Sequence, residues 1–143
     1  MKITLIGYIF FFVAGISYAD SPPLDGIFIS NSEKTIDWIS HNNKEFYESV
    51  EIKNHKIKNI FDGSLIHKWK NGKLTVIASK EFSEVIKAPF KKISSNEWKI
   101  TDKPEYTFVV LSADNYYVIS PSIHGLIREY FDRKAEQGAA ANP

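Results

Sequence analysis

The 143 residues include 18 basic and 17 acidic side chains, so the chain is close to neutral and lacks the basic excess of nucleic-acid-binding or membrane-surface proteins. It has no cysteine, which excludes a disulfide-stapled miniature fold and a lipid anchor on a cysteine. The length suits one domain with one hydrophobic core.

The first nineteen residues have the three parts of a secretory signal peptide. Lys2 supplies the positive charge, residues 3–16 are apolar, and Ser17-Tyr18-Ala19 has the small residues of a cleavage site. A membrane-spanning helix needs about 20 apolar residues, and here Asp20 and two prolines end the run too early. We therefore expect cleavage after Ala19, no remaining membrane anchor, and a periplasmic or secreted protein of bacterial type.

The rest of the chain is predicted to be a single domain over residues 20–136. Residues 137–143, with the sequence Gln-Gly-Ala-Ala-Ala-Asn-Pro, have nothing to bury and are expected to form a disordered tail. At the start of the domain, residues 26–29 indicate a first short strand. Asn31 or Ser32 can then cap one short helix, because the period of the apolar residues changes there from that of a strand to that of a helix.

From Phe46 onward the chain is predicted to consist of strands and tight turns. The strongest hairpin signal is Asn71-Gly72, since both central positions of a type I′ turn need a positive φ. Counting outward from this turn pairs Trp69 with Leu74 and His67 with Val76 on one apolar face.

The second half of the chain is also predicted to consist of strands joined by tight turns, and the last strand is at residues 126–133. Asp114-Asn115 is a second turn dipeptide, which would set Leu111 opposite Val118. The total is about eight to ten short antiparallel strands with one N-terminal helix. A mainly β fold with this spacing is typical of a closed barrel or a sandwich.

Both ends of the domain resemble small bacterial lipocalin-like proteins. Gly26-Ile27-Phe28 is similar to the Gly-x-Trp opening of that family, with phenylalanine in place of tryptophan, and residues 129–133 are similar to its last strand. The resemblance implies a single up-and-down barrel over the whole domain. It also implies that Arg133 lies across the ring of Phe28 and closes one end of the barrel, a cation–π contact.

A lipocalin-like barrel implies a cavity for a small apolar molecule at its open mouth. The side chains proposed to line it are Trp69, Trp98, Phe108, Tyr117 and His67. The alternative is a barrel filled by its own side chains, because eight strands enclose only enough space for those or for one small ligand.

The histidines give no sign of a metal site. His41, His55, His67 and His124 have no spacing that would place two ligands on one metal ion. We therefore predict no metal and no cofactor. His67 falls on the apolar face of its hairpin, where it is either a hydrogen-bonded core histidine or part of a binding site.

The segment 120–125 holds two serines and His124 close together, but it lacks the Gly-x-Ser-x-Gly turn that presents a nucleophile. We therefore do not expect an enzyme. The sequence favours a monomeric exported protein that binds a small lipophilic ligand. The alternative is a module that binds one protein partner, such as a periplasmic inhibitor or an immunity protein, through an exposed connection containing Glu81, Phe82 and Glu84.

Overall fold

The computed structural model describes residues 20–49, 65–78 and 81–135. The predicted signal peptide, the predicted strands between residues 50 and 60 with His55, and the predicted tail lie outside these ranges. No helix within them is long and apolar enough to cross a membrane.

Nine strands and two helices make up the described fold. In chain order they are β1 (Gly26–Ser30), α1 (Ser32–Asn42), α2 (Lys44–Ser49), β2 (Ile66–Lys70), β3 (Lys73–Ile77), β4 (Ser83–Val85), β5 (Phe90–Lys92), β6 (Glu97–Ile100), β7 (Lys103–Ser112), β8 (Asn115–Ser122) and β9 (Gly125–Arg133). All nine strands belong to one antiparallel sheet, in the order β4-β3-β2-β1-β9-β8-β7-β6-β5. The predicted mainly β, antiparallel fold is therefore confirmed.

The strand order is that of an up-and-down meander whose two ends are joined. Except for β4 and β5, strands that are consecutive in the chain pair with each other, and β1 in addition pairs with β9, so that Phe28 lies opposite Arg133. The meander is open between β4 and β5, which are consecutive in the chain, and no backbone ladder joins them in the described residues. The sheet is therefore a curled half-barrel, and the closed barrel expected from the sequence is not confirmed.

The curl brings strands from the two arms of the sheet together across its interior. Trp69 of β2 packs against Phe90 of β5 with ring centroids 5.3 Å apart, although these strands are far apart in the sheet order. At another point Lys103 of β7 lies 3.8 Å from the carboxylate of Glu84 on β4. An aromatic core that includes Phe28, Trp69, Phe108, Tyr116 and Phe131 fills part of the concave side.

The Asn71-Gly72 hairpin has the predicted register. Both turn residues have a positive φ, 51° and 73°, and Trp69 pairs with Leu74 while His67 pairs with Val76. This success follows from turn chemistry that is local to the sequence.

The predicted register of the β7–β8 hairpin is wrong. Ser112 pairs with Asn115, so the turn lies one residue earlier than Asp114-Asn115, and an irregularity between Val110 and Ser112 shifts the ladder further. Val118 therefore faces Phe108, and Leu111 is exposed.

The helical region is longer than predicted. α1 begins after Asn31, whose side chain accepts a hydrogen bond from the Lys34 backbone amide, as expected for a cap. Its buried Ile39 packs with Ile127 of β9. A second helix, α2, follows at once, so the prediction of strands from Phe46 is wrong at its start.

Candidate functional site

The curl of the sheet forms a cavity of about 220 Å³ that is partly open to solvent. Its wall is mostly apolar, with polar groups at a few points. The lining residues are Leu65, His67, Leu74, Val76, Glu84, Ile100, Lys103, Tyr106, Phe108, Val118, Ser120, Glu129 and Phe131.

Strand alternation decides which predicted residues reach this cavity. His67 and Phe108 line it. Tyr117 does not, because its neighbours Tyr116 and Val118 take the concave side and successive side chains point to opposite faces. Tyr117 instead packs with Arg128, whose guanidinium lies 4.4 Å from the Tyr117 ring centroid, and with Tyr130.

The two predicted tryptophans are core residues rather than lining residues. Trp69 is 1% exposed and packs against Phe90 and Phe108. Trp98 is buried as well, with the Lys92 ammonium 5.5 Å from its ring centroid, and its indole Nε1 has no hydrogen-bond partner in the described residues. Both tryptophans shape the site by filling the neighbouring core.

Three buried polar side chains form a hydrogen-bonded row that fixes the position of the His67 ring. The indole Nε1 of Trp69 donates to the Tyr116 hydroxyl at 3.0 Å, and that hydroxyl lies 2.6 Å from Nδ1 of His67. The Tyr116 hydroxyl accepts from Trp69, and its own proton has an acceptor if it is donated to Nδ1 of His67. The proton of the neutral imidazole is then on Nε2. Burial lowers the pKa of His67 to about 3, so the ring is neutral, and burial also raises the pKa of Tyr116.

Glu129 is the unexpected member of the site. It lies on β9 opposite Val118 and lines the cavity. Burial raises the pKa of its carboxyl group to about 6. Sequence reasoning missed Glu129, although the spacing of Ile127, Glu129 and Phe131 at every second residue places all three on one face of the strand.

One side of the cavity is bounded by an ion pair between the arms of the sheet. The pair is Glu84 with Lys103, and both side chains are about half exposed, 50% and 43%. The sequence predicts a protein-binding connection at Glu81, Phe82 and Glu84, and in the structure this connection contains β4. Phe82 is 53% exposed.

Phe28 and Arg133 meet where β1 pairs with β9. The guanidinium carbon lies 4.9 Å from the centre of the Phe28 ring. Arg133 also donates to the carbonyl oxygens of Asp25 and Ala113 and to the carboxylate of Asp114. Gly26 has a φ of +105°, and a Cβ there would come within 2.5 Å of the Arg133 guanidinium, which explains the need for glycine.

The serine and histidine of the β8–β9 turn are engaged in local contacts. The Ser122 hydroxyl donates to the Gly125 carbonyl and accepts from the His124 amide. The His124 ring lies 3.3 Å from the Glu45 carboxylate. Ser120 is separate from this turn network and lines the cavity.

His41 and His124 lie apart from the cavity. His41 is exposed at the end of α1, beside Asp37. Across residues 20–49, 65–78 and 81–135, no three histidine, aspartate or glutamate side chains come together as a metal site would require.

Comparison with known proteins gives no match to a family model, a curated protein or a solved structure. The lipocalin-like resemblance therefore stays a prediction.

Proposed function

We propose that this chain is an exported binding protein that holds one small, largely apolar molecule in the cavity of the curled sheet. The observation that carries this proposal is the cavity itself, about 220 Å³ beside a core whose aromatic rings are otherwise closely packed. An apolar cavity of about 150 Å³ is large enough to bind benzene.

The form of the lining also supports ligand binding. Small-molecule sites are concave and mainly apolar, with a small number of polar groups that fix the orientation of the ligand. Here aliphatic and aromatic side chains form the wall, and His67, Ser120 and Glu129 supply the polar groups. The Trp69–Tyr116–His67 row holds one of these groups in a fixed position before any ligand arrives.

The test is titration of the protein, recovered from the periplasm of a bacterial host, with the neutral fluorescent probe N-phenyl-1-naphthylamine. We expect saturable binding at one site. Val76→Phe, which fills the cavity, should abolish binding, whereas Val85→Phe on the exposed β4 should leave it unchanged. Absence of saturable binding to the unchanged protein would overturn the proposal.

Export is tested with the same material. Mass spectrometry of the recovered protein should show an N-terminus at Asp20, as expected for cleavage after Ala19. Retention of the first nineteen residues, or recovery only from the cytoplasm, would contradict an exported protein.

A further inference from the structure

The cavity contains one carboxyl group that nothing in the described chain neutralises. Glu129 has no ion pair and no hydrogen bond to its side chain among the residues that the structure describes. The other carboxylate of the lining, Glu84, is paired with Lys103. Burial removes part of the hydration of this carboxylate, so a cationic partner in the cavity would stabilise its charged form.

The polar side chains that the structure describes in the lining place no positive charge in contact with Glu129. His67 is neutral at physiological pH because it is buried, and its Nδ1 is already hydrogen bonded to Tyr116. Ser120 contributes only a hydroxyl group. Lys103 is the one lysine or arginine among the described lining residues, and its ammonium group pairs with Glu84 at 3.8 Å rather than with Glu129.

The remaining lining is apolar, and this limits the cation that could pair with Glu129. A divalent metal ion needs several oxygen or nitrogen ligands, and among the described residues no three histidine, aspartate or glutamate side chains come together here. An organic cation with an apolar body matches both parts of the wall. Its charged group would bind the carboxylate, and its body would cover the rings and aliphatic side chains.

We propose that the ligand is a small amine with an apolar body and that Glu129 binds its ammonium group, with the Ser120 hydroxyl as a second acceptor. This inference rests on the proposed function, because it names the chemical class that the same cavity takes. The raised pKa of Glu129 is consistent with it, since an ammonium partner would replace the water that burial removes from the carboxylate.

The experiment compares three ligands of nearly equal size by displacement of N-phenyl-1-naphthylamine at pH 7.5. They are phenethylamine, phenethyl alcohol and 3-phenylpropionate. We expect the amine to bind at least about tenfold more tightly than the alcohol, as for a charge-assisted hydrogen bond in a buried site, and the carboxylate to bind weakest.

Glu129→Gln should remove the preference for the amine while the neutral probe still binds. Glu105→Gln is the matched control, because it makes the same change at an exposed position on β7 outside the lining. It should leave the preference unchanged. If Glu129→Gln does not fold, the comparison of the three ligands on the unchanged protein still decides.

The outcomes separate the two proposals. Probe binding without an advantage for the amine would overturn this inference and leave the proposed function standing. Equal amine preference in Glu129→Gln and in the unchanged protein would also overturn it. Failure of the probe to bind would overturn the proposed function, and the assignment of an amine ligand with it.

Discussion

His67 and Glu129 line one cavity, yet burial shifts their pKa values so that they oppose each other in the pH dependence of stability. The pKa of His67 falls from 6.5 to about 3, and that of Glu129 rises from 4.5 to about 6. Between about pH 6 and 4.5 the unfolded chain carries a proton on His67, whereas the folded chain carries one on Glu129. Their contributions to the pH dependence therefore cancel in this window.

This cancellation predicts opposite pH profiles for two variants. In Glu129→Gln only the His67 contribution remains, so the free energy of unfolding should fall by about 2 kcal/mol from pH 6 to 4.5. In His67→Gln only the Glu129 contribution remains, and the free energy of unfolding should rise by about the same amount over that range. Urea unfolding at a series of pH values measures both. Profiles parallel to that of the unchanged protein would contradict the prediction.

Gly26 and Gly125 provide a matched pair for testing the Arg133 contact. Both have a positive φ, but a Cβ at Gly125 would meet its nearest neighbour, Nδ2 of Asn43, at an ordinary distance of 3.7 Å. Gly125→Ala should therefore show the strain of the backbone alone, about 1–2 kcal/mol. Gly26→Ala should cost more by about 1–3 kcal/mol, since Arg133 must move and lose hydrogen bonds. Thermal unfolding compares them, and equal costs would mean that the guanidinium moves freely.

Among the elements, α2 depends on Asn43, which connects three parts of the chain. Its backbone amide bonds to Ile39 in α1, and its side chain accepts from Phe46 and donates to the carbonyl of Leu126 on β9. One residue thus ends α1, begins α2 and ties both to the sheet. Because the contact with β9 joins residues far apart in sequence, the local pattern did not indicate a second helix.

Asn43→Ala should destabilise the fold by about 1–2 kcal/mol, because it removes a cap and a long-range hydrogen bond. Asn42→Ala is the control, since the Asn42 side chain donates only to the Trp38 carbonyl within the exposed face of α1. Its effect should stay within about 0.5 kcal/mol. Denaturant unfolding of the two variants gives the comparison, and similar costs would remove the special role of Asn43.

The elements that could be predicted are those specified by neighbouring residues. Asn71-Gly72 dictates its own turn, so the pairing of His67 with Val76 follows from the sequence. No turn dipeptide in the sequence indicates the irregularity in β7 between Val110 and Ser112. The register of the β7–β8 hairpin was therefore predicted wrongly.

The cavity was only partly predictable for a related reason. An apolar residue in a strand is expected to face a core, but the sequence does not say whether that core is solid, as at Trp69, or open, as at Phe108. A glutamate in a strand is normally assigned to the solvent face. The position of Glu129 in the cavity wall therefore follows from the pairing of β8 with β9 and not from the sequence of β9 alone.

For the whole molecule, the ion pair of Glu84 with Lys103 is the polar link between the arms of the sheet beside the cavity. We expect Glu84→Lys to speed release of a bound neutral probe by at most about fivefold, because an exposed ion pair contributes only about 0–1 kcal/mol. Added salt should reduce the difference from the unchanged protein. Stopped-flow measurement of probe release tests this, with Glu105→Lys as the control.

Slower probe release from Glu84→Lys than from the unchanged protein would contradict the role of this ion pair in holding the arms together. A difference in release rate that does not depend on salt would contradict it as well. Glu105→Lys makes the same charge reversal at an exposed position of β7 away from the cavity lining. It should release the probe at the rate of the unchanged protein.

The pairing of β1 with β9 also sets the order in which the chain can fold. The hairpins β2–β3 and β7–β8 join residues close in sequence and can form early, whereas Phe28 must wait for Arg133 from the far end of the domain. A chain that emerges from its amino end holds β1 without this neighbour until β9 has appeared. Since Glu129 lies on β9, the carboxyl group proposed to bind the ligand is added to the cavity together with the strand that completes the sheet.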